Sequence, residues 1–370
     1  MICPSEFSKK YISLFNNDNN SLKCDKNIIK LLFDTLNKFY KKINNSNIHY
    51  DIYKIQETEL SYIDAYYFPL CIQESIHKNM RYIYNCKTTI NDSYININIV
   101  SKNIHKKLES YILLIILWIH ILQTFSEPMC NKNLDIFIYL SDDEKIVPHN
   151  EPIKTKHVNS GYTRPGCNET NTIVVYRKEE WFKVLAHESI HAFNLDFSVK
   201  DNNYLNQKLN YLFPLNFPFN AFEAYCETWA VLWNTIFYTY FENKKSFNIF
   251  YNKFIENINL EREFTNYQCN KVLNILNLNY VDLLSSNTNY KEETNVFSYY
   301  FLKRILLDNI EDFLHMCNNF NTYSIMKFGD NAYEPFFDII QTNYNNYRNY
   351  ESKKYENIDK SMRMTLLDFY

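Results

Sequence analysis

The chain has 370 residues, 46% of them hydrophobic and 17% aromatic, with a formal charge of -3 and a pI near 6.3. Disorder requires low hydrophobicity with high net charge, and a nucleic-acid binder carries a concentrated basic footprint; the chain has neither, its Lys and Arg being scattered. With 32 Tyr, 28 Phe and only 3 Gly, the composition follows AT-rich codon usage, and each glycine becomes informative.

Residues 1–24 are polar and Asn-rich, and little order is expected there. Ile29, Leu32, Phe33, Leu36 and Tyr40 recur at helical spacing and predict a helix over 25–42. A second helix is expected over 60–78, interrupted at Pro69. The period then changes to two: Tyr82, Tyr84 and Cys86, and later Ile95, Ile97 and Ile99, flank the polar turn Asn91–Asp92 and predict a hairpin over 80–101. Residues 111–122, YILLIILWIHIL, are apolar all round. The run is too short to span a bilayer and is expected as a buried helix over 103–125, with no stable membrane span. Strands are expected at 134–140 and 172–176, and helices at 178–197, 219–240 and 295–310, with a long loop over 196–218.

Nine cysteines lie between Cys3 and Cys317 without a C-x-x-C pair. MICPSE at the start does not read as a secretory signal. Reduced cysteines and a cytoplasmic setting are the expectation. The elements together give an α+β chain: a helical N-terminal region (1–79), a sheet-containing part (80–194) and a mainly helical remainder (195–370).

Residues 187–191 read HESIH. On a helix, positions i and i+4 share a face, so His187 and His191 can present two imidazoles to one metal ion. Glu188 lies on the flank of that face, where a carboxylate can act as general base toward an attacking water. Glu179 and Glu180 are expected in the first turn, complementing the helix dipole. A catalytic zinc site needs a third protein ligand. Glu223 and Glu227 are four apart on a helix otherwise rich in Phe, Tyr and Trp, where two acids need a reason to be buried. One can ligate, and the other can orient a ligating His.

HExxH followed by ExxxE on a downstream helix resembles the gluzincin clan of zinc metallopeptidases, and the stretch RKEEWFKVLAHESIHAF (177–193) is similar to metallopeptidases encoded by large DNA viruses. The firm resemblance covers 172–235. It implies a zincin-like catalytic domain, with a small mixed sheet, a backing helix and the HExxH helix. It implies a Zn2+ cofactor held by His187, His191 and Glu223, with Glu227 behind a histidine and Glu188 as base. Cys226 fits a slot that holds a small residue in several clan members, and a ligand role for it is disfavoured. The resemblance also implies a peptide or protein substrate, endoproteolysis rather than exoproteolysis, and a host-cytoplasmic or virion setting. It further implies an oxyanion donor from a later helix. Tyr299 and Tyr300 are candidates, with Tyr300 preferred and His149 and His157 held behind them. Gly161 and Gly166 cluster before the strand at 172–176, and residues 158–176 are expected to form the substrate-side edge of the sheet. The alternative is an inactive zincin-fold protein with a structural or binding role. From His191 to Glu223 is 32 positions, longer than in compact clan members, and the insert over 196–218 is expected as a lid or pocket wall.

Overall fold

The computed structural model describes residues 5–15, 23–43, 49–54, 67–104, 107–128, 130–149, 151–215, 217–242, 246–348 and 359–368. In chain order the elements are α1 (Glu6–Phe15), α2 (Lys26–Ile43), β1 (Asp51–Lys54), α3 (Leu70–Asn79), β2 (Tyr82–Ile90), β3 (Ser93–Ser101), α4 (Leu108–Phe125), β4 (Asn133–Tyr139), α5 (Thr155–Val158), β5 (Gly161–Thr163), β6 (Thr170–Val175), α6 (Trp181–Ala192), α7 (Asn203–Leu212), α8 (Ala221–Glu242) and α9 (Phe247–Leu276). A π-helical segment, Phe297–Leu302, runs straight into α10 (Lys303–Asp308), and α11 (Ile310–Phe320) and α12 (Tyr333–Asn343) follow.

The α+β expectation holds. Among the described residues, six strands form one mixed sheet in the order β1-β2-β3-β4-β6-β5. β2 and β3 pair antiparallel around Asn91 and Asp92, both at positive φ, as a two-residue hairpin turn requires. β3, β4 and β6 run parallel, and the short β5 closes one edge antiparallel to β6. Strand alternation divides the sheet's two faces. Ile95, Ile97, Ile99, Ile136, Ile138, Ile173 and Val175 enter the main core with α4, α6 and α8. Ile83, Val100, Tyr139 and Val174 point the other way, where Phe68, just before α3, and Ile72 and Ile76 within it cover them.

α4 is long and apolar enough to cross a membrane, yet 72% of it is buried inside the protein, as expected of a core helix. α6 and α8 pack together, and every residue of α6 is buried. One continuous core runs from Cys24 to Leu367, so the three expected regions share it.

Several expectations are corrected. α1 forms inside the stretch expected to be loose, because Tyr11 and Phe15 bury against Phe264 and Tyr267 of α9. Of the helix expected over 60–78 and interrupted at Pro69, the described part is α3, which starts directly after Pro69; residues 60–66 lie outside the described ones. The 196–218 loop contains α7. Cys130 and Cys167, with Cα atoms 5.0 Å apart, are joined in a disulfide, so reduced cysteines do not hold for this pair. Glu179 and Glu180 precede α6 and turn inward. Glu179 pairs with Arg363 at 3.0 Å and Glu180 with Lys145 at 2.7 Å. Glu180 also accepts the backbone N–H groups of Met364 and Thr365, fastening segment 359–368 into the core.

Candidate metal centre

α6 presents His187 and His191 one turn apart, and α8 brings Glu223 against them. His187 Nε2 lies 3.1 Å from His191 Nε2 and 3.1 Å from Glu223 Oε2, and His191 Nε2 lies 3.3 Å from Glu223 Oε2. The three atoms form a nearly equilateral triangle. Tetrahedral ligands at about 2.0–2.1 Å from zinc are separated by about 3.3 Å, so the donor set fits that ion in number, chemistry and spacing.

Each candidate ligand's remaining polar atom lies against a partner. His187 Nδ1 lies 2.9 Å from Glu227 Oε1, which also takes a hydrogen bond from Lys183 Nζ at 2.5 Å. Glu227 therefore stands behind His187, not at the triangle. His191 Nδ1 lies 2.7 Å from Asp196 Oδ2. Glu223 Oε1 accepts from Asn295 Nδ2 at 2.9 Å. A carboxylate behind a ligating imidazole fixes its tautomer and orientation, with a lone pair on Nε2 for the metal.

The motif spacing did not disclose Asp196. It reaches His191 because the chain reverses directly after α6. Asn194 adopts the left-handed conformation (φ 52), its N–H bonds to His191 O at 3.0 Å, and Leu195 N–H reaches back to Ile190 O at 3.0 Å. That is the double hydrogen bond of a Schellman cap. The legible signal was Asn194, a residue type that tolerates φ > 0, two positions before an acid.

His191, Asp196 and Cys226 form a second buried group of potential ligands. The 2.7 Å between His191 Nδ1 and Asp196 Oδ2 is a hydrogen-bond length, well short of a ligand–ligand separation. The Cys226 thiol donates to Asp196 Oδ2 at 3.5 Å, on the side of His191 away from the triangle. This group is a hydrogen-bonded support for His191.

The charges match these contacts. Burial would raise the Glu223 carboxyl, but the His191 and His187 imidazoles outweigh it and hold the group at about 2. Burial would push His187 down, and Glu227 and Glu223 reverse this. Glu188 is pushed up, chiefly by burial.

A cavity of about 480 Å³ opens over the triangle, lined by Glu188, the three candidate ligands, β5 and Tyr299. β5 is an edge strand, and its Gly161 packs against α6. A Cβ there would lie 2.8 Å from Val184 Cγ1 and 2.9 Å from Glu188 Cγ. The expected edge over 158–176 thus borders the cavity, and Gly161 is a close approach of strand to helix. Gly166 serves the other way, with φ 93 and its N–H bonded to His191 O at 3.0 Å.

Tyr300 is not brought to this site. Its hydroxyl donates to Met362 O at 2.6 Å within the core. Neighbouring residues of a helix point in different directions, in this π-helical segment as in an α-helix, and Tyr299 is the one that faces the cavity, its ring 6.1 Å from that of His187. His157 Nδ1 accepts the Lys154 N–H, so its Nε2 donates to Glu151 Oε1, 3.2 Å away; it lies outside the cavity lining, as does His149.

No protein-family model matches the chain, and no solved structure does. It is 29% identical over 223 residues to an uncharacterized protein of Acanthamoeba polyphaga mimivirus, a match covering 56% of this chain. The chain spans about half the length of that curated relative, 55% of it. The similarity is to a viral protein of unstated activity.

Proposed function

We propose that the chain is a zinc-dependent peptidase of zincin-like build, with His187, His191 and Glu223 holding the ion. The observation that carries this reading is the convergence of two Nε2 atoms and Oε2 at mutual distances of 3.1–3.3 Å beside an open cavity. The helix bearing HESIH, packed beside a sheet with an antiparallel edge strand, supports the zincin-like architecture.

Bound zinc would lower the pKa of a water and polarise a scissile carbonyl. Glu188, on the cavity wall, takes the proton of the attacking water and delivers it to the leaving amine. Glu227 and Asp196 keep the two imidazoles in the ligating tautomer. Tyr299, which lines the same cavity, would donate to the oxyanion that develops on the carbonyl. The open edge of β5 offers backbone groups to an extended peptide.

The test has two parts. Purified protein should contain one zinc, lost on His187→Ala with His191→Ala. Glu188→Gln should keep the zinc and lose about 10²–10⁴-fold in hydrolysis of a peptide library. Protein without zinc, or Glu188→Gln with undiminished cleavage, refutes the reading. Zinc with no cleavage by the wild type favours a binding role instead.

A further inference from the structure

An imidazole offers a metal one nitrogen, whereas a carboxylate offers two oxygens, so Glu223 is the ligand whose binding mode has to be imposed. Its Oε2 faces both histidines, and its Oε1 is occupied by Asn295 Nδ2 at 2.9 Å. An ionised carboxylate only accepts hydrogen bonds. The Asn295 atom beside it must therefore be the nitrogen, which fixes the orientation of that amide. Asn295 Oδ1 then faces Asn220, whose Nδ2 donates to it at 2.7 Å. Asn220 immediately precedes α8, so the bond ties the Asn295 segment to the start of the helix that carries Glu223.

We infer that Asn295 is a positioning residue that holds Glu223 to coordination through Oε2 alone. The inference rests on the zinc peptidase reading. It adds a residue that touches neither metal nor substrate yet sets how the third ligand binds.

Asn295→Asp keeps the shape and replaces the donor with an acceptor facing Glu223. Zinc Kd, measured by chelator competition, should rise about 10–100-fold. The absorption spectrum of the cobalt(II)-substituted protein should shift, since the carboxylate is released from its one-oxygen mode. Asn295→Ala removes the donors without adding charge and should raise the zinc Kd in the same direction; it carries the test if the aspartate variant fails to fold. A purely structural Asn295 leaves the Kd and the cobalt spectrum unmoved, and that result in a folded variant overturns the inference alone. Wild-type protein without zinc overturns the underlying reading with it.

Discussion

Asp196→Asn tests how the second imidazole is held. Asp196 is fully buried; Oδ2 faces His191 Nδ1 at 2.7 Å and takes the Cys226 thiol, while Oδ1 accepts from Ser198 Oγ at 3.1 Å. In the asparagine variant the amide nitrogen must replace one oxygen. At the Oδ2 position it would oppose the Nδ1 hydrogen, forcing the His191 proton onto Nε2 and removing the lone pair the metal needs. At the Oδ1 position it meets a Ser198 hydroxyl that can rotate and accept. The second arrangement wins, so His191 keeps a hydrogen bond to a neutral carbonyl and loses only the charge assistance. A charge-assisted bond is roughly twice as strong as a neutral one, which puts the loss at about 1 kcal/mol, or about 5-fold in zinc Kd. Asp196→Ala removes the acceptor entirely and should reach about 100-fold, the upper end for such supporting groups. Chelator-competition titration of the two variants reads both values. An unchanged Kd in Asp196→Ala, or a larger loss in Asp196→Asn than in Asp196→Ala, refutes the reasoning.

Gly161→Ala places a Cβ 2.8 Å from Val174 O, a backbone atom that cannot yield easily, and 2.9 Å from Glu188 Cγ. It should cost about 1–3 kcal/mol of stability by overpacking and lower kcat/KM while zinc stays bound; a fully active variant would show that strand and base are not in contact. Tyr300→Phe should lose about 1 kcal/mol of stability with its hydrogen bond to Met362 O and keep full turnover. A fall in kcat as large as that of Tyr299→Phe would return Tyr300 to the site. Burial pushes Glu261 up to about 7, against hydrogen bonds from Thr365, Leu366 and Leu367. Below the unfolded value near 4.5 both states hold the proton and folding is unpenalised; between 4.5 and 7 only the folded state holds it, so stability falls by roughly 3 kcal/mol. Glu261→Gln orphans one donor at every pH, about 1–3 kcal/mol, but escapes that fall. Urea unfolding should show its deficit at pH 4.5 shrinking by pH 7.5, and a gap that does not change with pH contradicts the assignment.

What the sequence determined by itself is local in origin. Two histidines or two glutamates four apart share a helical face wherever the helix goes, so His187 with His191, and Glu223 with Glu227, could be paired without coordinates. Alternation with Asn91–Asp92 between the runs dictated a hairpin, and an all-apolar run shorter than a bilayer dictated a core helix. Tertiary structure decided what depends on a turn, a rotation or a distant partner. Asp196 reaches His191 only because Asn194 reverses the chain. Tyr299 rather than Tyr300 faces the cavity because of how one helix is rotated in the core, and 32 tyrosines leave no periodicity to reveal it. Asn295, 72 residues from Glu223, meets it through packing alone. The same limit hid the inward turn of Glu179 and Glu180, whose partners at 363–365 lie nearly half the chain away. Spacing encodes a shared face because helix geometry is fixed; it cannot encode which face the core will choose.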